Sequence, residues 1–248
     1  MSYMKNNKSD FENTSNYTME CSALTKNYGK KTALDNVNLK LPKGSIVGLL
    51  GPNGSGKTTL LKLAAGLLTP TSGTVKICGM MPGPETKAIT SYQADTVFES
   101  DWMTVKDLIS MMSDFFKDFN KDKANDMIES LKINQKDKLK TLSKGTKEKV
   151  QLITTMSREA SLYLLDEPIG GVDPAARDYI LSTIIGNYKE DATVVISTHL
   201  ISEVESVLNH IIFLKEGQIV RQGDIDDIRS QTGKSIDALF REEFKCSM

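Results

Sequence analysis

The stretch leading up to residue 51 alternates short apolar runs with turn residues, which predicts strands broken at Asp35-Asn36 and at Pro42-Lys43-Gly44. Residues 45–50, SIVGLL, are nearly all apolar, the pattern of a central strand buried on both faces. A glycine-rich stretch follows, then a helical pattern over 58–68, and PTSGTVKICG adds another strand and turn. From residue 104 to about 139 apolar positions recur at helical spacing between charged ones, which predicts a helical insert. Beyond it the pattern gives a helix at 146–158, a strand at 161–166, a helix at 175–188 and a strand at 193–197. A helix at 201–209 and the hairpin IIFLKEGQIVRQG close the series. Strand–helix alternation of this kind argues for a mostly parallel α/β core.

Composition narrows the picture mainly by exclusion. A chain of 248 residues suits one large domain or two small ones, and 39% hydrophobic with 25% charged residues is ordinary for a globular protein. A net charge of −1 argues against a dedicated nucleic-acid binder, which carries a basic surplus. The three cysteines lie far apart with no C-x-x-C pair and read as reduced cytosolic thiols; two histidines exclude a His-rich metal site. No apolar run approaches the ~18 residues that span a bilayer, so any membrane span must come from another chain. The polar N-terminus lacks the apolar core of a secretory signal. Residues 1–17 read as a flexible extension, with Met19 as an alternative start, and 18–248 as a single domain with a helical subdomain over about 100–158.

Three motifs carry chemistry. GPNGSGKTTL fits the phosphate-loop pattern G-x-x-x-x-G-K-[ST] from Gly51 to Thr58, in which a tight glycine-rich turn aims backbone N–H groups at phosphates. Lys57 would reach the terminal phosphates, the Thr58 hydroxyl would hold Mg²⁺, and the following helix start favours the same anion. Gly51, Pro52, Asn53, Gly54, Ser55, Gly56, Lys57, Thr58 and Thr59 are thus candidate nucleotide contacts. SLYLLDEP is an apolar strand ending in two acids, at the sheet edge where open α/β folds expose ligand-binding groups. Asp166 would help hold Mg²⁺, and Glu167, pointing differently, would orient or deprotonate an attacking water. LSKGTKEK places Ser143 and Gly145 at a second helix start suited to an anion, about two dozen residues before that strand. Taken alone it reads as an ordinary serine cap; a second cradle is most useful when it closes over a nucleotide held by a neighbouring copy.

With GPNGSGKT, LSKGTKEK, LYLLDEP, GGVDP and ISTH in this order, the chain resembles the ATP-binding subunits of ABC transporters from about residue 19 to 244. The resemblance implies a P-loop NTPase core with a mostly parallel sheet, an N-terminal antiparallel β subdomain and an inserted α-helical subdomain. It implies two such domains paired head to tail with two ATP molecules between them, the expected form being a homodimer assembled on ATP binding. Ser143 and Gly145 would then contact the γ-phosphate in trans, His199 would hold it in cis, and Asp173 would link the two sites. Tyr28 matches the aromatic position on which adenine stacks. The implied partner is a separate membrane permease, with this chain at the cytoplasmic face of the cell membrane and no nucleic acid bound.

Two features depart from the family pattern. The signature carries Lys144-Gly145-Thr146 where Gly-Gly-Gln is common, a form familiar in ABC-2-type and antimicrobial-peptide or drug exporters. The Q-loop position falls on Asp95, with Gln93 as the alternative; Asp95 is the reading adopted for the Mg²⁺- and water-facing residue. SIDALFREEF resembles the family's closing helix. Two other functions compete with a transport ATPase: a non-transport ABC ATPase acting on ribosomes or DNA, which would carry two domains or long insertions, and an ATP sensor with little turnover. The Asp166-Glu167 pair and His199 speak against the sensor.

Overall fold

A computed structural model describes residues 16–95, 102–170 and 174–244. Most of the N-terminal extension, Asp173 and Cys246 lie outside the described residues. The chain runs β1 Tyr17–Tyr28, β2 Lys31–Pro42, β3 Ile46–Leu50, α1 Lys57–Ala64, β4 Ser72–Ile77, α2 Pro84–Ala88, β5 Thr90–Gln93, α3 Val105–Phe115 and α4 Lys121–Ser130. It continues α5 Lys144–Met156, β6 Leu162–Asp166, α6 Pro174–Asn187, β7 Thr193–Thr198, α7 Ile201–Val204, β8 His210–Lys215, β9 Gln218–Asp224, α8 Ile225–Thr232 and α9 Ile236–Phe244.

The central sheet has the order β5-β6-β7-β3-β8-β9, with β9 alone antiparallel to its neighbour. Side chains on a strand alternate between faces, and here both faces are apolar. Tyr163, Leu165, Val194, Ile196, Ile211 and Phe213 join Ile180 and Ile184 of α6 in one core. Leu162, Leu164, Val195, Ile212 and Leu214 join Leu60, Leu61 and Leu63 of α1 in another, which extends to the separate β2-β1-β4 sheet. The mostly parallel core, the antiparallel N-terminal sheet and the helical insert all match the expected fold class.

The turn expected at Asp35-Asn36 is not a turn. β2 runs straight through it as a bulge: the β1 partners step from Leu24↔Val37 to Lys26↔Leu34, and Asn36 sits at φ 51 in the left-handed region. The Asp35 N–H points out of the ladder to the Gly217 carbonyl at 2.9 Å, and Gln218 Nε2 donates to Asp35 Oδ2 at 2.7 Å, tying the two sheets together. The helix expected over 201–209 is also shorter. After Val204 the chain tightens into a single 3₁₀ turn and then extends, because Asn209 is committed to β3: Ile46 N–H donates to Asn209 Oδ1 and Asn209 N–H to the Ile46 carbonyl, both at 2.8 Å.

The helical subdomain has its own core of Val105, Leu108, Ile109, Phe119, Ala124, Ile128, Leu139, Val150 and Ile153. Thr104 and Asp107 form a reciprocal cap at the start of α3, and these bonds hold the Asp107 carboxyl below the usual carboxylate range. α5 serves both bodies: Val150 and Ile153 face the helical core, whereas Leu152 and Met156 face the sheet. Buried Arg158 fastens the junction. It pairs with Asp118 at 2.9 Å, donates to the carbonyls of Thr90 and Ala88 at 2.6 Å each, and lies 4.0 Å over the Phe116 ring. Lys123 Nζ donates to the carbonyls of Met156 and Asn187, the last residues of α5 and α6.

Candidate functional site

β3, β6 and β7 are adjacent parallel strands, so their C-terminal ends deliver Gly51, Asp166 and His199 to one edge of the sheet. The loop between β3 and α1 is folded tightly against its surroundings. A Cβ on Gly51 would lie 2.4 Å from the Leu214 carbonyl oxygen, and one on Gly56, at φ 111, would lie 2.5 Å from that of Ala33. Only glycine fits either position. Gly56 also brings no side chain to cap α1, so the first backbone N–H groups of that helix remain available to an anion.

Lys57 is buried, and its ammonium donates to the Gly51 carbonyl at 2.8 Å and the Pro52 carbonyl at 3.3 Å. It also lies 3.2 Å from Glu167 Oε1. Glu167 adopts φ 49, unusual for a side-chain-bearing residue, and its other oxygen, Oε2, accepts from His199 Nδ1 at 3.0 Å. The carboxylate accepts only, so the proton sits on Nδ1. Lys57, Glu167 and His199 therefore form one chain of polar contacts at the mouth of the loop. The strained backbone of Glu167 is stabilised by its own N–H, which donates to Ser197 Oγ at 3.0 Å and to the Ser197 carbonyl at 3.1 Å, and by Gly170 N–H on its carbonyl at 3.0 Å.

Asp166 is almost wholly buried. Its Oδ1 accepts from Ser197 Oγ at 2.7 Å and Thr58 Oγ1 at 3.1 Å, while Oδ2 has no hydrogen-bond partner. Burial pushes its carboxyl above the ordinary range, the Ser197 and Thr58 bonds pull it back, and the charges of Asp95 and Glu167 push it up again. A buried carboxylate oxygen with no partner, beside a threonine hydroxyl, is the donor set a hard divalent cation takes. The residues present thus fit Mg²⁺, with Thr58 and Asp166 as the protein oxygens.

A cleft of about 360 Å³ is lined by Tyr28, Lys31, Ala33, Asn53, Gly54, Gly56, Lys57, Thr58, Thr59, Asp95 and Glu167; Asp166 and His199 stand just behind this lining, against Thr58 and Glu167 respectively. Tyr28 is half-exposed, with Lys26 Nζ 5.4 Å from its ring centroid. Of the two Q-loop candidates, Asp95 lines the cleft, whereas Gln93 is buried at the end of β5 and does not. Ser143 and Gly145 do not line it either; Ser143 instead caps α5, accepting from Thr146 N–H at 3.2 Å, on an exposed helix start. Sequence reasoning assigned no role to Ser197, Lys31 or Ala33. The serine within ISTH is the only advance signal for any of them.

A larger, mostly apolar groove of about 390 Å³ lies behind Asp95, between α3 and α5, lined by residues including Leu108, Met111, Met112, Leu139, Val150, Ala94 and Gln151. Among the described residues no helix is long and apolar enough to cross a membrane. Cys21 and Cys78 are both buried.

The family model described as ABC transporter matches residues 34–170. The bacitracin transport ATP-binding protein BcrA of Enterococcus faecalis is 30% identical over 226 residues, 88% of this chain and 73% of that protein. The lantibiotic transport ATP-binding protein SrtF of Streptococcus pyogenes is 30% identical over 213 residues, 82% of this chain and 89% of that protein. A solved structure of the ATP-binding subunit of an ABC transporter superposes with a TM-score of 0.81 at 27% identity, covering 91% of this chain and 98% of the other.

Proposed function

The chain belongs to the ABC transporter family as an ATP-binding, ATP-hydrolysing subunit, and from that membership we propose how its own residues do the work. The observation that carries the reading is that Lys57, Thr58 and Glu167 line one cleft, with Asp166 joined to it through Thr58 and His199 through Glu167. Adenine stacks on Tyr28, and the phosphates lie in the glycine-rich loop against the free N–H groups of α1. Lys57, held by two carbonyls, exchanges Glu167 for phosphate oxygens. Thr58 and Asp166 would hold Mg²⁺, with Asp95 facing its site, and the ion would supply neutralising charge to those oxygens.

Glu167, released from Lys57, keeps its His199 contact and orients the attacking water, taking up its proton as the bond between the β- and γ-phosphates breaks to give ADP and phosphate. His199 Nε2, the ring nitrogen not engaged by Glu167, faces the γ-phosphate. The intact Lys57–Glu167–His199 chain supports turnover over a sensing role.

Ser143 and Gly145 stand apart from the cleft of their own chain, which supports a second copy supplying them head to tail, with Asp173 at the junction. The permease docks in the apolar groove behind Asp95, where anything bound bears directly on the loop carrying that residue. On this reading the chain works at the cytoplasmic face of the membrane, with residues 18–248 forming one ATPase domain. The LSKG signature and the likeness to BcrA and SrtF support export of an antimicrobial peptide or drug.

Steady-state ATP hydrolysis and equilibrium ATP binding by wild type and Lys57→Ala test the cleft. Turnover should fall by about 100-fold or more on losing a charge-assisted phosphate contact. A Lys57→Ala protein hydrolysing ATP at the wild-type rate would remove this site from the reaction.

A further inference from the structure

We propose that Gln151 is a positioning residue for ATP hydrolysis, fastening the loop that carries Asp95 to the helix that begins at the signature; this rests on the ATPase reading of the cleft. α5 starts at the Ser143 cap, and Gln151 lies two turns into it, about 11 Å along the axis from Lys144 at ~1.5 Å per residue. Its Nε2 donates to the Ala94 carbonyl at 2.8 Å. One turn further along α5, the Thr155 carbonyl accepts from Ser91 Oγ at 2.9 Å. These two bonds, three residues apart on the β5 side, fix both the position and the direction of the chain as it leaves the strand.

The carbonyl that Gln151 holds belongs to the planar peptide joining Ala94 to Asp95, so the bond constrains where the Asp95 Cα and side chain can point. Asp95 is the next residue, and it lines the ATP cleft. Its charge is felt on both sides of this junction, pushing up the carboxyls of Asp166 in the cleft and Glu148 on α5, each already raised by burial. Gln151 also lines the apolar groove assigned to the permease. A displacement of α5, whether it starts at the signature end or in the groove, reaches Asp95 through this amide.

Two substitutions separate hydrogen bonding from packing. Gln151→Met keeps the length of the side chain and loses the donor. Gln151→His, assayed near pH 8 where the ring is neutral, places an Nε2–H the same number of bonds from Cα. The full chain is assayed for ATP hydrolysis against Mg²⁺ concentration and for ATP binding in EDTA. Fluorescence of Trp102, the chain's one tryptophan and exposed, is followed on adding Mg²⁺ to the ATP-bound protein.

Gln151→Met should lower kcat about tenfold, raise the half-saturating Mg²⁺ several-fold and shrink the Trp102 response, with KM for ATP unchanged and the urea midpoint lowered only slightly, as for one lost hydrogen bond. Gln151→His should recover at least half of each loss. A methionine variant indistinguishable from wild type, or a histidine variant as impaired as the methionine one, overturns the proposal. Wild-type protein that hydrolyses no ATP overturns the reading beneath it, and this inference with it.

Discussion

Replacing Ser197 by alanine removes one atom that two functional residues share. Its hydroxyl donates to Asp166 Oδ1 at 2.7 Å in a fully buried setting and accepts the Glu167 N–H. A hydrogen bond to a carboxylate is worth about 1.5–3 kcal/mol, and Ser197→Ala leaves Asp166 only the longer 3.1 Å bond from Thr58. At ~1.4 kcal/mol per factor of ten, turnover should fall by about 10- to 100-fold. Glu167 N–H keeps the Ser197 carbonyl as an acceptor, so the folding loss should stay within the same range of about 1.5–3 kcal/mol as the lost carboxylate bond.

The pH profile carries the sharper signature. Burial already raises the Asp166 carboxyl, and the Ser197 bond is the larger of the two that pull it down. Losing that bond raises it further. If ionised Asp166 is needed, activity is present above its titration point and lost as pH falls through it, so the acid limb must move to higher pH in the variant. The stability sign is the opposite: a carboxyl raised in the folded state binds protons more readily than in the unfolded chain, so stability falls as pH climbs from the unfolded value through the folded one. Measuring kcat at saturating ATP and Mg²⁺ from about pH 5.5 to about 9 reads the acid limb, and urea unfolding over the same range reads the stability sign. A Ser197→Ala protein with the wild-type acid limb and a rate within about twofold would refute the chain of reasoning from Ser197 to Asp166.

Arg158→Met should cost about 3 kcal/mol in urea unfolding, the lower end for a broken buried ion pair because Asp118 is partly exposed; a loss under about 1 kcal/mol would show that the junction is fastened elsewhere. Gly56→Ala sets a Cβ against the Ala33 carbonyl at a φ that side chains avoid, so the loop must shift; calorimetry should find ATP affinity reduced by at least about tenfold, and unaltered affinity would contradict the packing described. Burial pushes the Cys21 thiol up to about 12, so iodoacetamide near pH 8 should leave Cys21 unmodified until urea unfolds the chain. Peptide mapping that finds it labelled in native protein would show β1 opening on its own.

The fold was legible where one strand or helix spans the signal. SIVGLL and SLYLL are continuous apolar runs because β3 and β6 are covered on both faces, and the loop between β3 and α1 betrays itself through glycines that no other residue replaces. What stayed hidden depends on distance in sequence. Asp35-Asn36 has turn chemistry, but whether it turns or bulges is decided by Gly217 and Gln218, some 180 residues away. The helix expected to reach residue 209 stops early because Asn209 pairs with Ile46. Lys57, Glu167 and His199 were each singled out, yet no sequence pattern reveals that the carboxylate joins the other two. Ser197 reads as one more residue of a buried strand until Asp166 is placed beside it, and Gln151 as one more polar residue on a helix until Ala94 is.

The central claim is that this cleft binds ATP and that Glu167 drives its hydrolysis between two copies of the chain. Size-exclusion chromatography of Glu167→Gln with and without ATP and Mg²⁺, alongside its turnover, tests it most directly. The account predicts intact ATP binding, nearly abolished turnover and an ATP-dependent shift from monomer to dimer. Glu167→Gln protein that hydrolyses ATP like wild type, or binds it and stays monomeric, would contradict it.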